Sequence, residues 1–137
     1  METGKIFMAE DDAEDRWIIS EAMEHIKAAH LMLFAENGVL MLDLLKKHHE
    51  QNELPCLIVL DLNMPKMNGT ETLSHIKNDD RFRNIPVIIY STSINPFEKE
   101  KCMRLGAHSY ITKPITFSDG VATAKTFHAF CKVGSVS

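Results

Sequence analysis

An aspartate stands between an apolar run and a proline near the middle of this sequence. The run at 56–60 is rich in aliphatic residues, Asp61 follows it directly, and Pro65 ends the segment. The pattern predicts a buried strand with a carboxylate at its carboxyl end, at the edge of an open parallel sheet where ligands and chemistry collect. A carboxylate in this position can act as a nucleophile and form an acyl phosphate.

Three other apolar runs also end in polar residues that suit phosphoryl chemistry. The run at 6–9 is followed by Glu10, Asp11 and Asp12, the run at 87–90 by Ser91, Thr92 and Ser93, and the run at 110–112 by Lys113 and Pro114. Because the carboxyl ends of parallel strands lie at one edge of a sheet, we expect these acidic, hydroxyl and ammonium groups to surround Asp61.

Glu10, Asp11 and Asp61 are the candidate metal ligands. Carboxylates that converge repel one another and raise the pKa of at least one member unless a cation shares the site. Mg²⁺ binds one or two carboxylates, keeps several waters and leaves room for a phosphate oxygen. We expect Asp11 and Asp61 to bind the cation directly and Glu10 to bind it through water. The backbone carbonyl of Asn63 would add another oxygen, and Mn²⁺ could replace Mg²⁺.

Lys113 and Ser91 would supply the remaining groups for phosphoryl transfer. Negative charge that grows on a transferred phosphoryl group must be met by positioned cations and hydrogen-bond donors. The ammonium of Lys113 would meet this charge opposite the metal, and the hydroxyl of Ser91 would donate to a phosphate oxygen. We therefore predict that Asp61 is the phosphoacceptor and that Lys113 and Ser91 assist the transfer.

Several of these residues have simpler structural interpretations. Acidic residues at a helix start are favoured by its open N–H groups and by its dipole. Asp11 and Asp12 could therefore be helix caps, and we prefer the cap for Asp12 and the ligand for Asp11. Lys113 could be a solvated lysine, although its place at the same predicted edge as Asp61 makes this the weaker interpretation. Tyr110, an aromatic at a strand start, could serve packing alone.

Short apolar runs alternate with longer amphipathic stretches along the chain. This alternation is typical of an α/β protein, in which helices cover a parallel sheet. The predicted strands lie at about 6–9, 31–35, 56–60, 86–90 and 110–112, and the predicted helices at about 13–28, 39–48, 70–78 and 96–105 and from Thr116 or Ser118 to about 131.

Composition limits the class of protein. With 137 residues, 45% of them hydrophobic, the chain fits one domain spanning 1–137, with a core at about 5–131 and a short tail at 132–137. It has 15 basic and 19 acidic residues and no long basic run, which argues against direct nucleic-acid binding. No apolar run approaches the roughly 20 residues that would span a membrane.

The cysteines and the start of the chain suggest a cytoplasmic protein. Cys56, Cys102 and Cys131 are an odd number, sit in apolar surroundings and lack metal-ligand spacing, so we interpret them as reduced packing residues. The first residues lead directly into a short strand without the apolar core of a signal peptide. We therefore expect a cytoplasmic location.

Together these residues resemble the receiver domain of bacterial two-component response regulators. The matching elements occur in the expected order and cover the chain from about Lys5 to Phe130; they are Glu10 and Asp11, the segment 61–69, Ser91, Tyr110, and Lys113 with Pro114. The resemblance implies a flavodoxin-like (βα)5 fold, a doubly wound parallel sheet with strand order 2-1-3-4-5. It also implies Mg²⁺ at the acidic cluster and phosphorylation of Asp61 by a partner sensor histidine kinase or histidine phosphotransfer protein.

The resemblance also implies roles in signalling. Ser91 and Tyr110 would form a switch, and Asn63 and Ser93 would border the path of the hydrolytic water. The fourth helix, fifth strand and last helix would form the output surface for a downstream protein, in a monomer or a phosphorylation-dependent homodimer. The chain would be no enzyme beyond its own phosphorylation and dephosphorylation.

Three positions depart from the family pattern. Ser91 stands where threonine is most frequent, which keeps the hydroxyl but changes the packing. Thr92 is bulkier than the usual alanine or glycine and could narrow the approach of the phosphodonor. Gly120 replaces a large apolar residue and costs about 1 kcal/mol of helix stability against alanine, so we expect a loose start to the last helix.

Two other functions fit the sequence less well than the receiver interpretation. A phosphatase of the haloacid dehalogenase type needs a second aspartate two residues after the nucleophile, where this chain has Asn63. A nucleotide-binding flavodoxin-like module would want a loop rich in Gly, Ser or Thr after the first strand, where this chain has three acidic residues. Within the receiver interpretation, the sequence leaves open whether the chain is an adaptor or a phosphorelay shuttle.

Overall fold

The computed structural model describes residues 4–93 and 95–132. Within them, five strands and five α-helices alternate along the chain, and a short 3₁₀ helix at Ala29–Leu31 precedes the second strand. The elements are β1 Ile6–Ala9, α1 Ala13–His25, β2 Met32–Ala35, α2 Gly38–Glu50, β3 Leu57–Leu60, α3 Gly69–Lys77, β4 Val87–Ser91, α4 Pro96–Arg104, β5 Ser109–Thr112 and α5 Phe117–Ala129.

The strands form one parallel sheet in the order β2-β1-β3-β4-β5. The predicted α/β fold and its strand order are therefore confirmed. The register aligns the strand ends, since Ala9 pairs with Leu60 and Ser91 pairs with Thr112. The residues that follow these strands consequently lie along one edge of the sheet.

Hydrophobic residues cover both faces of the sheet. Every residue of β1, β3 and β4 is buried, as expected for parallel strands between two helical layers. Because successive side chains point to opposite faces, β1 contributes to two separate cores. The core under α2, α3 and α4 includes Phe7, Met41, Leu45, Ile58, Leu60, Leu73 and Ile76. The core under α1 and α5 includes Ile6, Met8, Ile19, Met23, Val59, Ile88 and Phe127.

Side-chain caps fix the starts of the helices that border the sheet edge. The carboxylate of Asp12 accepts from the backbone N–H groups of Glu14 at 2.8 Å and Asp15 at 3.2 Å. This confirms Asp12 as the cap of α1. Thr116, rather than Ser118, caps α5, because its hydroxyl oxygen accepts from the N–H of Asp119 at 3.1 Å. The first turns of α1 and α5 are thereby held in place beside the strand ends.

The helix boundaries differ from the sequence prediction by a few residues. Helix α1 ends at His25 rather than near 28, because Lys27 has a left-handed φ of 61° that interrupts the helical backbone. Helix α2 continues to Glu50, two residues beyond its predicted end. The 3₁₀ turn at Ala29–Leu31 takes up the first residue of the predicted second strand.

Gly120 lies in the first turn of α5, against α1. A methyl group at this position would lie 3.8 Å from Cγ of Pro114 and 3.9 Å from Cβ of Ala22, which are ordinary contact distances. The structure shows a capped helical turn here. The loose helix start expected from Gly120 stays a prediction.

The cysteines correct one expectation from the sequence. The structure joins Cys56 and Cys131 in a disulfide, with their Cα atoms 5.2 Å apart, and leaves Cys102 free and buried. The interpretation of all three as reduced packing residues is wrong for this pair, which is separated by 75 positions in the sequence. The fold brings them together because Cys56 directly precedes β3 and Cys131 follows α5. The expected cytoplasmic location loses the support of reduced cysteines.

None of the helices in the described residues is long and apolar enough to cross a membrane.

Candidate functional site

Three carboxylates meet at the carboxyl edge of the sheet. One oxygen each from Glu10, Asp11 and Asp61 can be chosen so that all lie within 4.8 Å of one another. Glu10 and Asp61 directly follow the paired strands β1 and β3, which explains why their side chains converge. Both are buried, whereas Asp11 in the next position along the β1–α1 turn is exposed. The cluster therefore has a buried floor and one carboxylate open to solvent.

Lys113 places an ammonium group inside this cluster. Its Nζ lies 2.6 Å from Oε1 of Glu10, 2.7 Å from Oδ2 of Asp15 and 3.2 Å from Oδ2 of Asp61. The side chain is only 10% exposed. The backbone N–H of Lys113 donates to the carbonyl of Ser91 at 2.9 Å, which ties the segment after β5 to the end of β4. The nucleophile candidate thus has a cation at hydrogen-bond distance.

Burial and charge change the acidity of these groups. Burial raises the pKa of Glu10 to about 7, a change that the hydrogen bond from Lys113 opposes and the neighbouring Asp61 carboxylate reinforces. Burial alone would lower the pKa of Lys113, but hydrogen bonds to Asp15 and Glu10 outweigh it and hold that pKa above its ordinary value. Lys113 is therefore an ammonium at neutral pH, facing carboxylates that one positive charge does not balance.

The donor set suits a hard divalent cation. Carboxylate oxygens are the ligands that Mg²⁺, Mn²⁺ and Ca²⁺ prefer, and a site without histidine or thiolate ligands disfavours softer metals. Some of the oxygens already have contacts: Oε2 of Glu10 accepts from the N–H of Asp12 at 3.3 Å, and Oδ1 of Asp61 accepts from the N–H of Asn63 at 3.4 Å. The cluster can therefore hold a divalent cation between the β1 and β3 ends.

Ser91 and Tyr110 lie along the same side of the sheet and share a hydrogen-bonded loop. The buried hydroxyl of Ser91 accepts from the N–H of Ser93 at 3.1 Å. The Tyr110 hydroxyl donates to the carbonyl of Ser93 at 2.8 Å, while its half-buried ring packs against the core under α2, α3 and α4. The hydroxyl of Ser93 lies 3.4 Å from Oε1 of Glu98 in α4. The two predicted switch residues are thus linked through the backbone of Ser93.

Asn63 and Ser93, the predicted neighbours of the hydrolytic water, lie on the loops after β3 and β4. Asn63 is exposed and Ser93 is partly buried. Asn63 faces an open cavity of about 420 Å³, whose lining also includes Leu62, Met64, Asn68, Thr70 and Glu98. The contact of Asn63 to Asp61 is made by its N–H, and the predicted role of its carbonyl as a metal ligand stays a prediction.

Two residues at the site were not identified from the sequence. Asp15 binds the ammonium of Lys113, and Nη1 of Arg16 donates to the carbonyl of Glu10 at 2.8 Å. Both lie in the first turn of α1, where an acidic residue is already explained by the helix dipole. The signal that could have revealed Asp15 is its position in a helix that starts at the same sheet edge as Asp61.

Sequence comparison places the chain among response regulators. The model of the response regulator receiver domain matches residues 6–125. The chain is 32% identical over 115 residues to the probable methanogenesis regulatory protein FilR2 of Methanothrix harundinacea (strain 6Ac), covering 83% of this chain and 74% of that protein. It is 29% identical over 116 residues to the response regulator Rcp1 of Synechocystis sp. (strain ATCC 27184 / PCC 6803 / Kazusa), covering 83% and 79%.

Solved structures agree with this result. The phosphorylated cyanobacterial phytochrome response regulator RcpA superposes with a TM-score of 0.84 at 31% identity, covering 98% of this chain and 97% of that one. The Mn²⁺-bound form of Rcp1 superposes with a TM-score of 0.81 at 27% identity, covering 98% and 97%. The sheet order, the carboxylate cluster and the family match lead to one conclusion. The chain belongs to the response regulator receiver domains, the signalling modules of two-component systems.

Proposed function

We propose that Asp61 accepts a phosphoryl group from a histidine kinase or histidine phosphotransfer protein in a Mg²⁺-dependent reaction. Receiver domains in general interact with proteins of these two kinds. The observation that carries the proposal is the position of the Asp61 carboxylate. It lies buried at the end of β3, beside two further carboxylates and 3.2 Å from the ammonium of Lys113.

Each side chain of the site has its own role in phosphoryl transfer. An oxygen of Asp61 attacks phosphorus, a P–O bond forms, and the P–N bond to the donor histidine breaks as the imidazole leaves and takes up a proton. Lys113 and the hydroxyl of Ser91 stabilise the charge on the phosphoryl oxygens. Asp11 and Asp61 would hold Mg²⁺ directly, Glu10 through water and Asn63 through its carbonyl. When bound, Mg²⁺ supplies further neutralisation of charge.

Phosphorylation by a small donor tests the proposal. The protein is incubated with acetyl phosphate and Mg²⁺, and intact-mass spectrometry measures the phosphorylated fraction. We expect phosphorylation of the wild type and its loss in Asp61→Asn or when Mg²⁺ is chelated. Asp43→Asn, a change to an exposed aspartate on α2, is the matched control and should be phosphorylated normally. Equal phosphorylation of Asp61→Asn and the wild type would refute the assignment.

We further propose that α4, β5 and α5 form the output surface. The link from Ser91 through Ser93 to the hydroxyl of Tyr110 supports this, because a phosphoryl oxygen that draws the Ser91 hydroxyl away from the Ser93 N–H would disturb the Tyr110 contact. Such a response is a shift between two packings, limited by the phosphate contacts that differ between them.

A phosphate mimic tests the output surface. Beryllofluoride should shift the NMR signals of Tyr110 and α4, while signals of α2 stay nearly unchanged. Ser91→Ala should remove the response at Tyr110 but leave beryllofluoride bound. A Tyr110 signal that ignores beryllofluoride in the wild type would refute this part of the proposal and leave phosphorylation of Asp61 intact.

A further inference from the structure

We propose that Asp15 is a positioning residue, which holds the ammonium of Lys113 in place so that one of its N–H groups stays directed at Asp61. The inference rests on the proposed function of Asp61 as phosphoacceptor. It concerns how the Lys113 ammonium is held in position before phosphoryl transfer. It assigns no contact between Asp15 and the phosphoryl group.

The three contacts of Nζ are unequal. A lysine ammonium has three N–H donors and no acceptor. Two contacts are short, at 2.6 Å to Glu10 and 2.7 Å to Asp15, and the third, to Asp61, is longer at 3.2 Å. Two donors are thus committed to carboxylates that take no part in bond formation. The third N–H would donate to an oxygen of the phosphoryl group on Asp61.

The two short contacts come from different elements. Glu10 follows β1 at the buried floor of the site, and Asp15 lies in the first turn of α1 with 33% of its side chain exposed. The backbone of Asp15 is itself fixed, because its N–H donates to the cap residue Asp12. A lysine side chain carries its charge on a flexible four-carbon stem. Anchors on two sides therefore restrict the ammonium more than either anchor alone.

Loss of Asp15 would change where this ammonium goes. Without the outer anchor, Glu10 and Asp61 remain as its carboxylate partners among the residues that the structure describes. A closer pairing with Asp61 would shield the attacking carboxylate, and the N–H group that Asp15 no longer holds would have no fixed direction toward the incoming phosphoryl oxygens. We therefore expect slower phosphorylation of Asp61 and an altered environment of the Lys113 ammonium.

Four proteins separate this role from a general effect of charge. They are the wild type, Asp15→Ala, Asp15→Asn and the control Glu14→Gln, which changes the charge of the same helical turn at an exposed residue. Phosphorylation by acetyl phosphate at saturating Mg²⁺ gives the rate constant. We expect Asp15→Ala to lower this rate constant about tenfold, the size of effect that follows removal of a hydrogen-bond partner from a metal ligand. Asp15→Asn, which keeps an acceptor oxygen, should fall in between, and Glu14→Gln should match the wild type.

A spectroscopic measurement shows whether the effect passes through Lys113. NMR of protein with isotope-labelled lysine follows the Cε and Nζ signals of Lys113, assigned with Lys113→Arg. These signals should move in both Asp15 variants and stay in place in Glu14→Gln. The inference is overturned if the signals do not move in the Asp15 variants, or if wild type and Asp15→Ala phosphorylate at the same rate. Absence of phosphorylation in the wild type would instead refute the proposed function.

Discussion

Four carboxylates and one ammonium lie close together at the carboxyl edge of the sheet. With all groups ionised, four negative charges against one positive leave an excess of three; the carboxylates belong to Glu10, Asp11, Asp15 and Asp61. Like charges at such short range destabilise the folded protein unless a cation binds. A ligand that binds only the folded state stabilises it by an amount that grows with the logarithm of the ligand concentration relative to Kd. Mg²⁺ should therefore raise the melting temperature.

The neighbours Asp11 and Asp12 should respond in opposite ways to truncation. Asp11→Ala removes an exposed member of the repelling cluster, so the metal-free protein should be as stable as the wild type or more stable, while Mg²⁺ should no longer raise its melting temperature. Asp12→Ala removes the cap of α1 and should cost about 1 kcal/mol with Mg²⁺ stabilisation unchanged. Thermal unfolding with and without Mg²⁺ measures both. Normal Mg²⁺ stabilisation of Asp11→Ala would show that Asp11 is not a ligand.

At the scale of elements, helix starts pack against the strand ends that carry the functional groups. Helix α3 begins at Gly69, whose N–H donates to the carbonyl of Leu62 at 3.0 Å. A methyl group at Gly69 would overlap the carbonyl of Asp61 and lie 2.8 Å from Cα of Leu62. The close approach of α3 to the segment after β3 thus requires glycine. A methyl group at Gly120, at the start of α5, would meet Pro114 and Ala22 only at the ordinary contact distances of 3.8 and 3.9 Å.

Alanine at these two glycines should therefore have effects of opposite sign. Gly120→Ala should raise the free energy of unfolding by about 1 kcal/mol, because alanine is the better helix former and the site has room. Gly69→Ala should lower it by roughly 1–3 kcal/mol through overpacking and should slow phosphorylation by displacing Asp61. Urea unfolding of both variants measures the difference. Destabilisation by Gly120→Ala would show that α5 and α1 are packed more tightly than the structure indicates.

The strands and helices could be predicted from the sequence, but some of their contacts and boundaries could not. Apolar runs and amphipathic stretches located the strands and helices, because each pattern depends on local periodicity. Asp15 was missed because a helix-start acid already has a local explanation, and its bond to Lys113 spans 98 positions. The end of α1 was misplaced because nothing in the local pattern indicates that Lys27 adopts a positive φ.

At the scale of the whole molecule, strand order and contacts between residues far apart in the sequence cannot be predicted from local sequence patterns. The order β2-β1-β3-β4-β5 came from the family resemblance carried by Glu10, Asp61 and Lys113, and periodicity alone does not provide it. The disulfide between Cys56 and Cys131 was not predicted, since only the folded arrangement of β3 and α5 brings these residues together. The disulfide connects the approach to β3 with the end of α5, a helix of the proposed output surface.

The disulfide should stabilise the fold. Thiol titration of the denatured protein without reductant should find one free thiol, from Cys102, and three after reduction. The double variant Cys56→Ala, Cys131→Ala should lose about 2–4 kcal/mol of stability, as expected for a loop closed by a disulfide. Reductant should lower the melting temperature of the wild type but not that of the double variant. Three free thiols before reduction would contradict this pairing.

The phosphorylation of Asp61 is tested most directly by identifying the residue that carries the phosphoryl group. Protein phosphorylated in Mg²⁺ by acetyl phosphate is treated with borohydride, which reduces an aspartyl phosphate to homoserine, and is then digested and sequenced by mass spectrometry. We expect homoserine at position 61, and no reduction product when Mg²⁺ is chelated. A reduction product at another acidic residue of the cluster, with position 61 unmodified, would contradict it.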